Sequence, residues 1–187
     1  MPEPIAVPSV EEEAEEEVVA EEVAANPCDS PTITAEEWNE KYNTPSTPWL
    51  TYHSDRGEYS IYDPPYSQIA EGYQIDYPSV LERSPDTHSP EVSLYDYSHM
   101  IGVTMVDAGL YQNSLDVLLD TFAPTGMRLE KRIQIDGYDA LVTSNAPDRE
   151  DQRDVFGVDF IRGDTLYGIR TQCLDHERVW NSFKFEE

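Results

Sequence analysis

The sequence is short of positive charge. Its 187 residues contain 12 Lys and Arg against 38 Asp and Glu, so the formal net charge is −26 at pH 7. Nucleic acids and anionic lipid surfaces are both bound through basic patches. The acidic excess therefore argues against both as partners. It identifies no partner by itself, because strong negative charge also serves solubility and would also arise by salt adaptation of the source.

Long apolar runs and the signatures of common active sites are also missing. No stretch approaches the roughly 20 consecutive apolar residues of a membrane-spanning helix, and the first residues lack the basic start and apolar core of a signal peptide. The sequence contains no Gly-x-Ser-x-Gly motif. Its four histidines, His53, His88, His99 and His176, are spaced too widely for a zinc motif. We predict no catalytic residue, no metal and no cofactor, and hence a protein that is not an enzyme.

Cysteine is scarce as well, with only Cys28 and Cys173 in the chain. Pro27 precedes Cys28 at the place where a lipoprotein signal requires a small residue, so Cys28 is not predicted to be a lipid anchor. A disulfide between the two would require an oxidising compartment. An even number of cysteines is weak evidence for pairing, and the sequence leaves the question open.

The N-terminal part of the chain is predicted to lie outside the folded domain. Residues 1–30 carry ten acidic side chains and no Lys, Arg or aromatic residue, so they cannot bury enough apolar surface to offset the entropy of ordering. We interpret them as a disordered acidic tether. Residues 31–58 are predicted to form a short helix, capped by Thr34 and carrying Trp38 and Tyr42, and then a linker over residues 43–57, which contains Pro45 and Pro48. Residues 59–187 form the predicted domain.

The domain shows the patterns of an α+β fold. Alternating or apolar segments predict strands at residues 59–62, 73–77, 92–97 and 100–106. Between residues 113 and 126, a capping Asn113 or Ser114 precedes one apolar stripe, which predicts a helix lying flat on a sheet. That stripe is formed by Leu115, Leu118, Leu119 and Phe122.

Two β-hairpins and a closing helix follow. Asp136-Gly137 separates two apolar alternating segments, which is a strong signal for a two-residue turn. Arg162-Gly163-Asp164 marks a second hairpin turn; it also spells a cell-adhesion tripeptide, but a tight turn explains its Gly-Asp pair. Asp175 is predicted to cap the last helix, whose Val179, Trp180 and Phe183 face inward.

These last elements resemble the PsbP-like family over about residues 59–187. The segments that carry the resemblance are Ile135-Asp136-Gly137-Tyr138, Gly163-Asp164-Thr165-Leu166-Tyr167-Gly168-Ile169 and Trp180-Asn181-Ser182-Phe183-Lys184-Phe185. The family includes small lipoproteins of the bacterial envelope, the extrinsic subunit of plant photosystem II and a Ran-binding nuclear import factor. The resemblance is to the branch of small bacterial envelope lipoproteins. It implies an α/β/α sandwich with a central antiparallel sheet flanked by helices. It also implies an accessory or binding role without catalysis.

The tyrosines are the remaining candidates for binding. Ten of the twelve lie between residues 42 and 111, and tyrosine suits both sugar rings and protein interfaces. Most are explained by packing on a sheet, but Tyr62, Tyr66 and Tyr73, around a Pro-Pro pair, are candidate ligand-binding residues. We therefore expect a binding domain of the bacterial cell envelope, or a secreted one, that acts through a protein partner. The alternatives are a carbohydrate or small-ligand module built on the tyrosines, a hydrolase with an unrecognised site and, for location, the cytoplasm.

Overall fold

A computed structural model describes residues 28–29, 33–42, 44–60, 67–86, 91–96, 99–144 and 155–186. Its α-helices are α1 (Ala35–Tyr42), α2 (Leu115–Phe122) and α3 (His176–Ser182). Its strands are β1 (Trp49–Ser54), β2 (Gly57–Ser60), β3 (Ser67–Ala70), β4 (Tyr73–Pro78), β5 (Glu82–Arg83), β6 (Val92–Asp96), β7 (His99–Asp107), β8 (Arg128–Ile135), β9 (Tyr138–Ser144), β10 (Val155–Arg162), β11 (Thr165–Gln172) and β12 (Lys184–Phe185). A 3₁₀ turn, Ala108–Tyr111, follows β7. None of the described helices is long and apolar enough to cross a membrane.

The described strands form one large antiparallel sheet and two small ones. The large sheet, called here the main sheet, has the order β5-β6-β7-β11-β10-β9-β8. A second sheet has the order β1-β4-β12, and β2 pairs with β3. The predicted strands at residues 73–77, 92–97 and 100–106 correspond to β4, β6 and β7, and the one at residues 59–62 overlaps the end of β2.

The main sheet buries both of its faces. On the inner face, side chains such as Phe160 and Tyr167 pack with Trp180 and Phe183, under the second sheet, α1 and α3. On the outer face, Leu118 of α2 packs with Leu166 and Ala108 in a smaller cluster. The fold is thus α+β, with a central antiparallel sheet flanked by helices on both faces, as predicted.

The hairpins and caps form where the sequence places them. Asp136 and Gly137 have φ of 48° and 86° between β8 and β9, which is the left-handed pair that a type I′ turn needs. Ser114, not Asn113, caps α2 by accepting a hydrogen bond from the Val117 N–H. Asp175 caps α3 through the Arg178 N–H at 3.1 Å. Local chemistry therefore sets these element boundaries.

The segment predicted as a linker contains a strand, β1, so the prediction is wrong for that part of it. Trp49 pairs with Pro78 and Ser54 with Tyr73, so β1 is a full strand of the second sheet. Pro48 stops the preceding segment just before β1 begins, a place where a strand tolerates proline. In the same N-terminal region, Trp38 of α1 is fully buried in the core. Residues before position 59 thus contribute to the packed structure.

The two cysteines are paired. Cys28 and Cys173 form a disulfide with a Cα–Cα distance of 5.7 Å, across a sequence separation of 145 residues. Next to it, the Asp29 carboxylate accepts a hydrogen bond from the Ala35 N–H at 2.8 Å, which ties the segment to the start of α1. Of the predicted tether, residues 1–27 and 30 lie outside the described part of the chain.

Candidate functional site

The turn between β10 and β11 forms one wall of a cleft. Arg162 pairs with Thr165 across a two-residue loop, and Gly163 has φ of 59°. A glycine with left-handed φ at the first loop position is what a type II′ turn requires. The Ala108 N–H donates to the Asp164 carbonyl at 2.9 Å, so the turn is also held against the end of β7.

The cleft lies between this turn and the end of β3. Its volume is about 440 Å³, and its lining residues are Ile69, Glu71, Arg162, Gly163, Asp164, Thr165 and Tyr167. Tyr167 is buried on the inner face of the main sheet, and its hydroxyl accepts a hydrogen bond from the Glu71 N–H at 3.0 Å. That bond joins the two walls. A space of this volume falls in the usual range of ligand and peptide pockets.

Arg162 is the only cation that lines the cleft in the described part of the protein. Its guanidinium lies 4.0 Å from the centre of the Phe185 ring and 5.7 Å from that of Tyr138. This arrangement also bears on the Arg162-Gly163-Asp164 tripeptide: the arginine is folded back onto two aromatic rings, whereas Asp164 is exposed at the turn. The pair is not displayed together, as an adhesion motif would require.

Two exposed apolar side chains flank the same turn. Leu110 is 63% exposed and Ile69 is 55% exposed, and these are the highest values among the large apolar residues of the described chain. Ile69 lines the cleft itself. Leu110 belongs to the 3₁₀ turn after β7, whose last residue Asp107 pairs with Thr165. We call the set Ile69, Glu71, Leu110, Arg162 and Asp164 the end surface.

A second polar site lies on the outer face, beside α2. A small cavity of about 100 Å³ is lined there by Asp159 and Arg170, among others. The Arg170 guanidinium donates to Asp159 Oδ1 at 2.7 Å, while Oδ2 is buried with no hydrogen-bond partner in the described structure. Burial raises the pKa of Asp159 above its usual range, although the charge and hydrogen bond of Arg170 act to lower it.

Glycines make room for this buried pair. A Cβ on Gly157 would lie 2.8 Å from Arg170 Nη1, and one on Gly168 would lie 3.2 Å from Asp159 Oδ1. Gly157 stands opposite Arg170 in the strand register, and Gly168 stands opposite Asp159. The arginine therefore lies flat on the sheet because its cross-strand neighbours have no side chains.

The predicted tyrosine site is not assembled in the described residues. Tyr62 and Tyr66 lie outside them. Tyr73 is fully buried in β4, stacked on Phe183 at a ring distance of 5.1 Å. Burial raises the pKa of its hydroxyl. Tyr73 is thus a core residue, and a role for Tyr62 and Tyr66 in binding stays a prediction.

The histidines occupy separate places. His53 is exposed and contacts Glu186, His99 stacks on Trp38 at 3.7 Å in the core, and His176 stacks on Phe156 at 4.0 Å. His88 lies outside the described residues. In the part of the chain that the structure covers, no group of three or more His, Cys, Asp or Glu side chains is placed to hold a metal ion.

Sequence reasoning did not find the end surface or the buried ion pair. Ile69 and Leu110 are far apart in sequence, and only tertiary contacts bring them to one turn: Ile69 lines the cleft beside it, and the 3₁₀ turn with Leu110 is hydrogen-bonded to it. For the ion pair, the sequence does contain a signal. Asp159 and Arg170 are charged residues within two largely apolar strands, and each stands opposite a glycine of the other strand. A charged residue facing a glycine across a hairpin would have pointed to this pair.

Comparison with known proteins gives a structural neighbour and no match in sequence. No protein-family model matches the chain, and no curated protein matches it in sequence. Among solved structures, the chain is similar to the solution structure of cyanobacterial PsbP (CyanoP) from Synechocystis sp. PCC 6803. The TM-score is 0.44 and the identity is 12%, over 71% of this chain and 94% of that one. This neighbour is a PsbP protein, the family that the sequence resembles, and at this level of similarity it supports no conclusion about function.

Proposed function

We propose that the protein is a non-enzymatic binding module of an extracytoplasmic compartment, in the cell envelope or secreted, and that it acts by holding a protein partner at the end surface. The observation that carries this function is the pair Ile69 and Leu110. They are the two most exposed large apolar side chains in the described chain. Ile69 lines the cleft, and Leu110 lies in the 3₁₀ turn that is hydrogen-bonded to the β10–β11 turn, one wall of the cleft. Exposed apolar groups beside a concave site, rimmed by charged residues, are typical of protein interaction sites.

The chemistry of the cleft also suits a partner protein. Arg162, in contact with Phe185, provides a charged group on a rigid aromatic support, and arginine and aromatic residues dominate the energetics of many interfaces. Glu71 and Asp164 add acidic groups at the rim. We infer a partner with a basic surface, since the net charge of −26 attracts positive charge at long range.

The disulfide supports the proposed compartment. Disulfides form and persist in secreted and envelope proteins and are rare in the cytosol of mesophiles. The Cys28–Cys173 bond joins the N-terminal segment to the end of β11, so it belongs to the tertiary structure. A cytoplasmic location would leave both cysteines as thiols. Blocking free thiols in intact cells, then reducing and labelling, distinguishes the two: label should enter only after reduction, and label that enters before reduction would rule out the compartment proposed.

The partner is tested with matched surface variants. The full chain, the double variant Ile69→Ser/Leu110→Ser and the double variant Leu50→Ser/Leu129→Ser are each incubated with envelope extract of the source organism and chemically cross-linked. Leu50 and Leu129 are also exposed, at 47% and 39%, but do not belong to the end surface. We expect one protein to be recovered with the wild type and the control but not with Ile69→Ser/Leu110→Ser. Equal recovery with all three would refute the end surface as the binding site.

The carbohydrate alternative now rests on Tyr62 and Tyr66, because Tyr73 is in the core. No contact of the described residues favours it over a protein partner.

A further inference from the structure

Among the described residues, the guanidinium of Arg162 has aromatic contacts and no carboxylate partner. Its central carbon lies over the Phe185 ring, with Tyr138 alongside. The ion pairs of the described residues use Arg56, Lys131, Arg132 and Arg170, together with His53, and do not include Arg162. Glu71, which lines the same cleft, is engaged by Arg56 at 3.7 Å. In a chain with 38 acidic residues, an arginine that rests on an aromatic ring and forms no ion pair with a described acid is unusual.

Stacking leaves the hydrogen-bonding groups of Arg162 available. The N–H groups of a guanidinium lie in its plane, so a ring against its face does not occupy them. Five N–H donors in a fixed fork match the two oxygens of a carboxylate, which can accept two parallel hydrogen bonds. Because Arg162 lines the cleft, such an acceptor would sit inside it.

The rest of the cleft limits what the acceptor can be. Glu71 and Asp164 share the lining, and the whole protein is strongly negative. A doubly charged phosphate would be repelled more than a singly charged carboxylate. The apolar wall at Ile69 suits a side chain attached close to the carboxylate. The volume of about 440 Å³ accommodates the end of a chain more readily than an internal segment that must enter and leave.

We propose that the end surface recognises the C-terminal carboxylate of its partner, with Arg162 binding the carboxylate and Ile69 contacting the last side chain. This inference rests on the protein-binding function proposed above and specifies the partner group. Capture of a chain end by oriented donors is a known mode of peptide recognition. Glu71 and Asp164 would then favour a basic residue just before the end.

A pair of short peptides tests the inference directly. N-acetyl-Gly-Gly-Lys-Leu is used with a free C-terminal carboxylate and with a C-terminal amide, and each is titrated into the ¹⁵N-labelled full chain by NMR. The amide peptide is the more positive of the two, so the overall charge of −26 attracts it more strongly. Any preference for the free acid must therefore come from a local cation. We expect the free acid to bind about tenfold more tightly, with shifts at residues 162–167, as a charge-assisted hydrogen-bonded pair would give.

Two variants assign the preference to Arg162. Arg162→Gln should remove it, and Arg162→Lys, which keeps the charge but loses the fork, should retain only part of it. Lys184→Gln is the matched control: it removes one positive charge from the adjacent β12 strand, and Lys184 does not line the cleft. For each variant, an NMR spectrum that is unchanged away from the substituted residue shows that the protein is folded. The control should keep the wild-type preference.

The outcomes separate this inference from the proposed function. Equal binding of the two peptides, no binding of the free acid at millimolar concentration, or a preference that survives Arg162→Gln would each overturn carboxylate recognition. Partner capture that depends on Ile69 and Leu110 would still support the binding function in those cases. Conversely, a preference lost in Arg162→Gln would support the inference even if no partner were captured from the extract.

Discussion

At the scale of single residues, the buried pair of Asp159 and Arg170 is the most constrained feature of the protein. The Asp159 side chain is 3% exposed and that of Arg170 is 27% exposed. Burial raises the pKa of Asp159, and Arg170 offsets that effect only in part. Because the carboxyl group binds its proton more tightly in the folded state than in the unfolded state, this group contributes most stability at low pH. This contribution to stability decreases as the pH rises from the pKa of Asp159 in the unfolded state to its higher pKa in the folded state.

Removal of the arginine should make that pH dependence larger. We expect Arg170→Met to lower the free energy of unfolding by about 3 kcal/mol at neutral pH, because it leaves a buried carboxylate without a counter-charge. The loss should shrink at acid pH, where Asp159 takes up a proton. Adding Asp159→Asn to Arg170→Met should recover much of the loss at neutral pH. Urea unfolding at about pH 4.5 and about pH 7.5 measures all three proteins.

The control for this prediction is Arg132→Met. Arg132 pairs with Asp116 at an exposed position on the same outer face, where an ion pair contributes little. It should show little loss at either pH. An equal loss for Arg170→Met at both pH values would show that Asp159 does not govern the pH dependence.

At the scale of secondary-structure elements, the cap of α3 is a point where one side chain supports the core. The Asp175 carboxylate accepts from the Arg178 N–H at 3.1 Å, and α3 places Val179 and Trp180 in the inner core. We expect Asp175→Ala to cost about 1 kcal/mol of unfolding free energy, as loss of an N-cap does. Asp175→Asn, which keeps an oxygen acceptor, should cost much less. Chemical denaturation of both variants checks this, and equal losses would mean that the carboxylate charge matters more than the cap.

Elements defined by local chemistry could be predicted, whereas those defined by distant pairing could not. The Asp136-Gly137 hairpin, the cap of α2 and the cap of α3 each depend on residues within a few positions. Strand β1 forms by pairing with β4. The prolines just before it are typical of a loop, so the sequence predicts a linker there. The end surface depends on pairing over an even longer range, since the 3₁₀ turn with Leu110 follows β7, whose Asp107 pairs with Thr165 of the cleft wall.

At the scale of the whole molecule, the disulfide is the longest-range covalent constraint. It closes a loop spanning 145 residues of sequence separation, and a cross-link of that length restricts the unfolded chain strongly. We expect reduction to lower the free energy of unfolding by about 2 to 5 kcal/mol. Urea unfolding with and without reductant measures the change. The double variant Cys28→Ser/Cys173→Ser should unfold like the reduced wild type and be insensitive to reductant; a wild type that reductant leaves unchanged would contradict a disulfide in solution.

The distribution of charge across the molecule leads to a further prediction about salt. Repulsion among acidic groups opposes the compact state, and salt screens charges over a Debye length of about 10 Å at 0.1 M. Nine of the 38 acidic residues lie in residues 1–27, before the disulfide, and the other 29 share the remainder with all 12 Lys and Arg. If the N-terminal charges act as a separate tether, the repulsion that matters for stability arises within residues 28–187.

Sodium chloride should therefore raise the urea midpoint of the full chain, and removal of residues 1–27 should leave that salt response nearly unchanged. The truncated chain keeps Cys28, so the cross-link and the contact of Asp29 with the start of α1 are preserved. Sodium chloride is preferred to sulfate, because sulfate also strengthens apolar burial by exclusion from the surface. A salt response that fell sharply on truncation would place the N-terminal charges close to the folded surface, where they would compete with any partner for the few cations of the domain, Arg162 among them.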